Sequence, residues 1–371
     1  MGLGHVGLPT AVLLADSGIR VLGVDIDPVR RSAVVRGEVG TEPGLAARLA
    51  GCDPALEVAA EPVRCPAYIV AVPTPLAADG GADLGALRAA MAAVAAVAPD
   101  GAVVVIESTV PVGTTAALAQ DHPRLHLAAC PERVLPGDAL RELVRNDRVL
   151  GGTPAATEAA AAVLGRFVRG VLVRTTSAAA ELCKLTENAA RDVQLAFAHT
   201  AAALARAHGV DPWTLQELVN RHPRVELLTP GIGVGGHCLP VDPWFLTAGA
   251  DAPLVRAARN VNDAVPPAVV ARLRAQIPSG EPVALLGLAY KPGVADLRNA
   301  PAVRIAWALA ETHDVVVTDP ASGAPAGLTA VSLAVARRRK VWVLLVAHDI
   351  YCALRPPADV LAIDVCGGWR S

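Results

Sequence analysis

The sequence predicts an α/β protein made of two Rossmann-like domains, joined by a long central helix and a helical region. Three observations predict it. A GxGxxG turn opens the chain at Met1-Gly-Leu-Gly-His-Val-Gly7 and runs into a helix, strand and acid in the order a dinucleotide fold requires. Buried-strand patterns then alternate with helices up to residue 176 and resume at Glu281. Between them, from Ser177, comes a long alanine-rich stretch free of Gly and Pro.

In the opening turn the glycines serve a sharp bend, close approach of a pyrophosphate, and packing of helix on strand. Leu8 to Ser17 reads as the helix, closed by Gly18, and Arg20-Val-Leu-Gly-Val-Asp25 as a buried strand ending in an acid. Asp25 suits a ribose 2′-hydroxyl and repels a 2′-phosphate, which favours NAD; Arg30 and Arg31 keep NADP open. Only Met1 precedes the first glycine, where this fold needs a parallel strand. The central strand is therefore expected to be absent, and the start to be internal to the gene. Ala67 to Pro75, Gly101 to Thr109 and Leu125 to Cys130 are further strands, with a helix from Asp83 to Ala98. Thr74, Thr109 and Glu132 fall at strand C-terminal ends, where an open parallel sheet binds its ligand. Each threonine could instead cap its turn.

The helical middle comprises Ser177 to His208, Asp211 to Arg221, and helices to Ile277 broken near Pro266-Pro267. Lys184 and Asn188 lie four apart on one helical face. This region reads as the place where a dimer is built, or as a core spacer. At its centre Gly231, Gly233, Gly235 and Gly236 precede Cys238. Pro240 suits the first turn of a helix, so Cys238 is expected at or just before a helix N-terminus, where a thiolate is favoured. A small buried cysteine in a tight turn is the plainer alternative. In the last third, Pro282 to Lys291, Val315 to Thr318, Val341 to Val346 and Leu361 to Val365 read as strands and Ala302 to Glu311 as a helix. The division expected is 1–176, 177–278 and 279–371.

Composition sets the limits. Of 371 residues, 53% are hydrophobic and 18% charged, which fits a globular chain with a large core. A net charge of −2 gives no footprint for nucleic acid, and Arg337 to Lys340 reads as a solvated helix face. No secretory signal is evident and the apolar runs are too short to span a bilayer, implying a cytoplasmic protein. Seven irregularly spaced cysteines and nine unclustered histidines suggest neither disulfides nor a metal site. There are only three lysines, Lys184, Lys291 and Lys340, against 30 arginines. A lysine that persists under such a bias suggests a role arginine cannot fill.

The motifs GLGHVGLP near the start, VPTP at 72–75, ESTVPVGTT at 107–115, PERVLPG at 131–137, AELCKLTEN at 180–188, GVGGHCLPVDPWF at 233–245 and GLAYKPGVADLRNAP at 287–301 resemble, in order, those of the nucleotide-sugar dehydrogenase family of UDP-glucose and GDP-mannose dehydrogenases. Within it, 130–137, 146–149, 220–224 and 241–245 most resemble the members that oxidise UDP-N-acetyl-D-mannosamine; UDP-glucose enzymes typically differ at 131–134 and carry a lysine where Val241 stands. The resemblance implies a two-step NAD-dependent oxidation of a sugar C6 alcohol to a carboxylate through a thiohemiacetal and thioester on Cys238. It implies oxyanion or water stabilisation by Lys184 and Asn188, assistance from Asp242, Glu132 as base in thioester hydrolysis, and Thr109 positioning water. It further assigns Gly2, Gly4, His5, Val6, Gly7, Asp25, Pro73, Thr74 and Thr109 to the cofactor. The sugar nucleotide would meet Glu132, Arg133, Val134, Lys184, Asn188, Gly231, Gly235, Tyr290, Lys291 and Arg298, with Arg224 reaching across a homodimer. Plainer roles remain for several: a surface lysine at 184, a helix cap at Asp242, a Glu132–Arg133 ion pair. UDP-N-acetylglucosamine, UDP-N-acetylgalactosamine, UDP-glucose and GDP-mannose stay open as substrates. So does a non-catalytic nucleotide-sugar binder, while a one-step hydroxyacid dehydrogenase would not need Cys238.

Overall fold

The computed structural model describes residues 1–370 except 41, 53, 79, 135 and 136. The chain forms two compact units, Met1–Glu187 with Trp244–Ala250, and Asn188–Pro243 with Asp251–Ser371.

The first unit runs α1 (Gly7–Asp16), β1 (Val21–Val24), α2 (Pro28–Val35), α3 (Leu45–Gly51), β2 (Leu56–Ala59), β3 (Ala67–Val70), α4 (Gly85–Val97), β4 (Val103–Ile106), α5 (Thr114–Asp121), β5 (His126–Ala129), α6 (Ala139–Arg145), β6 (Arg148–Gly152), α7 (Pro154–Leu164) and β7 (Leu172–Thr175). β3-β4-β5-β6-β7 make one sheet, parallel except for β5 against β6. Alternate residues of β4 serve two cores: Val103 and Val105 pack with α1 and α7, Val104 and Ile106 with α4. That two-sided burial is why β4 reads as an unbroken apolar run.

β1 and β2 pair in parallel as a separate two-stranded sheet. Among the described residues no strand lies between β1 and β3, as the sequence led us to expect. Met1 and Gly2 alone bridge them. The Met1 amine donates to Ile69 O at 2.8 Å, Ala71 N donates to Met1 O, and Gly2 N donates to Val24 O at 2.7 Å. Below them lies a cavity of about 200 Å³, lined by Leu14, Val21, Gly23, Ala67 and Ile69 among others.

The second unit takes up α8 (Ser177–Ala207) from Asn188, then α9 (Pro212–Val219), α11 (Pro253–Gln276), β8 (Val283–Leu286), α12 (Pro301–Ala310), β9 (Val315–Thr318), β10 (Thr329–Ala330), α13 (Leu333–Ala336), β11 (Val341–Leu344), α14 (Asp349–Cys352) and β12 (Leu361–Asp364). α10 (Asp242–Thr247) starts at its margin. The sheet is parallel and ordered β10-β9-β8-β11-β12, with β8 at its centre.

Two expectations about helices fail. α11 runs unbroken through Pro266 and Pro267. Two prolines forfeit main-chain bonds, but Pro266, Val269, Val270 and Leu273 are buried on that helix and hold it in one piece. Arg337 to Lys340 lie past the end of α13, in a turn, where Arg339 pairs with Asp314 and Lys340 with Asp359. Among the described residues no helix is long and apolar enough to cross a membrane, and no group of His, Cys, Asp and Glu could hold a metal ion.

Candidate functional site

In the first unit the three glycines of the opening turn differ in what surrounds them. A Cβ on Gly2 (φ +84°) would meet Ala71 O at 2.4 Å, and one on Gly7 would meet Gly2 O at 1.9 Å. Both are needed for the turn to close. A Cβ on Gly4 would meet nothing within 4 Å, so its backbone is bare for another reason, and open approach by a ligand is the one the motif supplies. His5 is exposed, and Val6 leads into α1, whose first N–H groups suit a phosphate. Asp25 ties the turn to the strand end: its Oδ2 accepts from Leu3 N at 2.8 Å and its Oδ1 from Asp27 N at 2.9 Å. Arg30 and Arg31 donate to the carbonyls of Leu3, Asp25 and Ile26. They brace this corner. The residues present therefore fit a dinucleotide.

At the ends of β3 and β4 the turns are bonded to each other. Thr74 Oγ1 donates to Thr109 O at 2.6 Å, and Ser108 Oγ accepts from Val72 N and donates to Val72 O. Thr74 thus caps a neighbouring strand end rather than its own turn. Pro73 is exposed and Thr109 half-buried beside it. Beneath them Glu107 accepts from Thr10 Oγ1 and from Arg148 Nη2 at 2.6 Å; this ion pair is almost fully buried. Sequence reading missed Arg148, because its partner lies 41 positions away.

Glu132 accepts a hydrogen bond from Val134 N, within its own turn. The plainer alternative, a Glu132–Arg133 ion pair, is not found among the described residues. Arg133 instead binds Glu187 on α8, through Nε at 3.0 Å and Nη2, and donates to Asp147 O. Adjacent side chains on extended backbone point apart, whereas Glu187 lies opposite. Two further residues of the 131–137 motif, 135 and 136, lie outside the described residues. On α8 Glu181 receives Gly113 N and Thr115 N, capping α5. Lys184 is 6% exposed, so the surface-lysine alternative is excluded.

In the second unit the cysteine loop lies against the turn after β8. Gly236 N donates to Arg298 O at 3.0 Å, and Asn299 Nδ2 donates to Gly236 O at 3.0 Å. Gly235 has no room for a side chain: its Cβ would sit 2.9 Å from Tyr290 Cβ and 2.6 Å from Pro301 Cδ. Gly231 has nothing within 4 Å of the same position. Cys238 is half-buried, and the Cys238 carbonyl accepts from Val241 N and Asp242 N. Cys238 therefore heads the turn that leads into α10: it lies just before the helix, as expected, with 239–241 making the turn ahead of Asp242. None of the seven cysteines forms a disulfide.

Asp242 is buried, and Asn188 Nδ2 donates to its Oδ2 at 2.5 Å. Burial, then Asp296, then Cys238 push the Tyr290 phenol up; Arg298 is held protonated chiefly by Asp296, with Cys238 contributing. The thiol thus lies within electrostatic reach of both. Arg298 binds Asp296 through Nε and Nη2, Lys291 Nζ sits 5.8 Å from the Tyr290 ring centre, and Arg224 is exposed in the turn after α9. The structure thus gathers Asn188, Gly235, Cys238, Asp242, Tyr290 and Arg298 in one unit.

Profiles of the UDP-glucose/GDP-mannose dehydrogenase family match the chain in three parts: its NAD binding domain at residues 1–167, its central domain at 178–264 and its UDP binding domain at 284–361. A UDP-N-acetyl-D-mannosamine dehydrogenase of Salmonella typhi is 38% identical over 414 aligned positions, covering 100% of this chain and 98% of that one. An NDP-N-acetyl-D-galactosaminuronic acid dehydrogenase of Ralstonia nicotianae is 40% identical, covering 100% and 96%. Among solved structures, a UDP-D-ManNAc dehydrogenase from Pyrococcus horikoshii superposes with a TM-score of 0.90 at 34% identity, covering 99% of this chain and 98% of that one.

Proposed function

Because the chain belongs to the UDP-glucose/GDP-mannose dehydrogenase family, we propose that it oxidises the C6 alcohol of UDP-N-acetyl-D-mannosamine to the carboxylate in two NAD-dependent steps, with Cys238 as the nucleophile. The observation that carries this reading is the Cys238 turn, packed on the Gly287–Asn299 turn and followed by an Asp242 that Asn188 holds at 2.5 Å. NAD, when bound at the Gly2–Gly7 turn, supplies the hydride acceptor for each oxidation. Gly4 leaves room for its pyrophosphate, and Asp25 stands at the strand end where a ribose is read.

In the first oxidation C6 loses a hydride and its hydroxyl a proton, giving the aldehyde. Cys238 thiolate then adds to that carbon: the C–S bond forms and the carbonyl π pair becomes an oxyanion, which takes a proton. Lys184 and Asn188 steady this oxygen. The thiohemiacetal then gives up a second hydride and its hydroxyl proton, leaving a thioester on Cys238. Water, oriented by Asp242 and Thr109 and deprotonated by Glu132, adds to the thioester, and the C–S bond breaks to return the thiolate. The sum is one alcohol, one water and two NAD⁺ giving one carboxylate, two NADH and three protons. Glu132, Arg133, Val134, Gly231, Tyr290, Lys291 and Arg298 hold the sugar nucleotide. Arg224, exposed on its turn, reaches the substrate of a second copy in a homodimer.

The test is NADH released per sugar with purified protein and a panel of UDP- and GDP-sugars. UDP-N-acetyl-D-mannosamine should yield two NADH and the uronate, and Cys238→Ala should stop acid formation. One NADH per sugar in the wild type, or acid formed by Cys238→Ala, would sink the reading; two NADH from another sugar alone would reassign the substrate.

A further inference from the structure

The Asp192–Arg259 pair is buried and plays no part in the mechanism above. Arg259 on α11 is 1% exposed and Asp192 on α8 0%. Arg259 Nη1 donates to Asp192 Oδ1 at 2.5 Å, and its Nη2 to Asp263 Oδ1 at 2.5 Å. Asn262 Nδ2 donates to the same Asp192 carboxylate at 2.8 Å and to its main-chain carbonyl at 2.9 Å. His199 Nδ1 closes the cluster against Asn262 Oδ1 at 2.8 Å. Removing two charges from water is expensive, and a buried pair is weak evidence of added stability. Its geometry gives it another use.

From this anchored position Arg259 Nη1 also reaches the carbonyl of Leu239, at 3.4 Å. Leu239 follows Cys238, whose own carbonyl is taken by Val241 N and Asp242 N. The five-residue segment from Cys238 to Asp242 is therefore held at two places from α8: directly, by Asn188 on Asp242, and one helical turn later through Asp192 and Arg259 on Leu239. Two carboxylates, Asp192 and Asp263, surround the one guanidinium, so the cluster offers the sulfur no net positive charge. Its effect is on where the sulfur lies.

We propose that Arg259 is a positioning residue for the Cys238 thiol, acting through the Leu239 carbonyl from its anchorage on Asp192. The inference rests on the function proposed above. The alcohol-to-aldehyde step does not use the thiol, whereas capture of the aldehyde does. A displaced sulfur should therefore lower the second oxidation and spare the first. Lysine at 259 keeps one charge but lacks the planar fork needed to serve Asp192, Asp263 and Leu239 together.

The experiment compares wild type, Arg259→Lys and the double variant Asp192→Asn with Arg259→Met, which removes both buried charges at once. NADH per sugar, trapped aldehyde, KM for the sugar nucleotide, and the pH dependence of Cys238 alkylation are measured on protein shown to be folded. Arg259→Lys should drop NADH per sugar from two toward one, release aldehyde, and lower the rate of acid formation by about 10²-fold, as a misplacement on the order of 1 Å does. Its KM and the midpoint of the alkylation profile should stay put. Two NADH per sugar at the wild-type rate in both variants would overturn the proposal. A shifted alkylation midpoint with unchanged stoichiometry would do so too, by making the cluster electrostatic. Failure of the wild type itself to give two NADH would instead overturn the functional reading.

Discussion

The turn after Met1 and the turn after β8 solve one problem with different supports. In the second unit β8 is buried on both faces, Val283 and Leu285 toward one core and Ala284 and Leu286 toward the other, and is laddered to β9 and β11. It delivers Gly287, at φ +92°, to its turn. Asp319, just beyond β9, then receives Leu288 N and Ala289 N from that turn. In the first unit the same device is present, Asp25 beyond β1 receiving Leu3 N, and Met1 and Gly2 make the main-chain bonds to the ends of β3 and β1. In both units, then, glycine contacts and one acid receiving main-chain N–H groups fix the turn.

The largest expected effect comes from closing those contacts. Gly7→Ala would bring a Cβ within 1.9 Å of Gly2 O, and Gly287→Ala would set one 2.5 Å from Val346 Cβ at positive φ. The first should abolish NAD binding while leaving UDP binding intact, and the second should do the reverse, each losing on the order of 3 kcal/mol or more of stability. Calorimetric titration of both variants with NAD and with UDP checks this. If either lesion removes both affinities, the turns are not independent. Gly4→Ala, with nothing near it, should weaken NAD binding without moving the melting temperature.

Next in size is filling the place between β1 and β3, where no strand lies among the described residues. Adding Val-Ala-Val-Ile ahead of Met1 should extend a strand between β1 and β3, gaining about 1.5–3 kcal/mol per buried aliphatic side chain against about 1–2 kcal/mol per ordered residue. The net, about 1 kcal/mol at the middle of those ranges, should raise the melting temperature by a few degrees; a Gly-Ser extension of equal length should not. The extension also removes an ammonium that burial brings down to about 6, with Glu107 and Asp25 opposing. For an amine lowered on folding, the penalty is absent above its unfolded value near 8 and complete below the folded one. The benefit should therefore grow as pH falls from 8 to 6. A benefit independent of pH would mean Met1 is not held as described.

What could be read from sequence follows the same division. β3, β4, β5, β8 and β11 were legible because burial on two faces leaves runs of Val, Ile, Leu and Ala. β2, Leu-Glu-Val-Ala, and β7, Leu-Val-Arg-Thr, were not, since each keeps a face toward water. β6 was hidden by Arg148, a charge that reads as surface and is buried against Glu107. The candidate residues stood in motifs, but the pairings that hold them did not show there: Arg133 meets Glu187 and Arg259 meets Asp192 across 54 and 67 positions. No periodicity reports such a distance. Pro240 suggested a helix start that the structure delays to Asp242, because a proline fits a turn as readily as a first helical residue.

The smallest expected effect sets the two acids against each other. Burial alone would raise Asp319, but bonding from His348 and from the N–H groups of Leu288, Ala321 and Ala289 carries it well below the usual carboxylate range. Asp25 accepts fewer such donors, Leu3 N and Asp27 N. Asparagine keeps one acceptor and turns an N–H₂ toward the remaining donors. Asp319→Asn should therefore cost about 2–3 kcal/mol at neutral pH, and Asp25→Asn about 1 kcal/mol. A carboxylate lowered on folding contributes fully above its unfolded value near 4 and loses that contribution only as pH drops through the folded one. The gap between wild type and Asp319→Asn should thus be constant from pH 7 to 5 and begin to close only below about 4, by urea denaturation at each pH. Equal costs at the two positions would mean that the strand beneath a turn, rather than the acid above it, decides how firmly the turn is held.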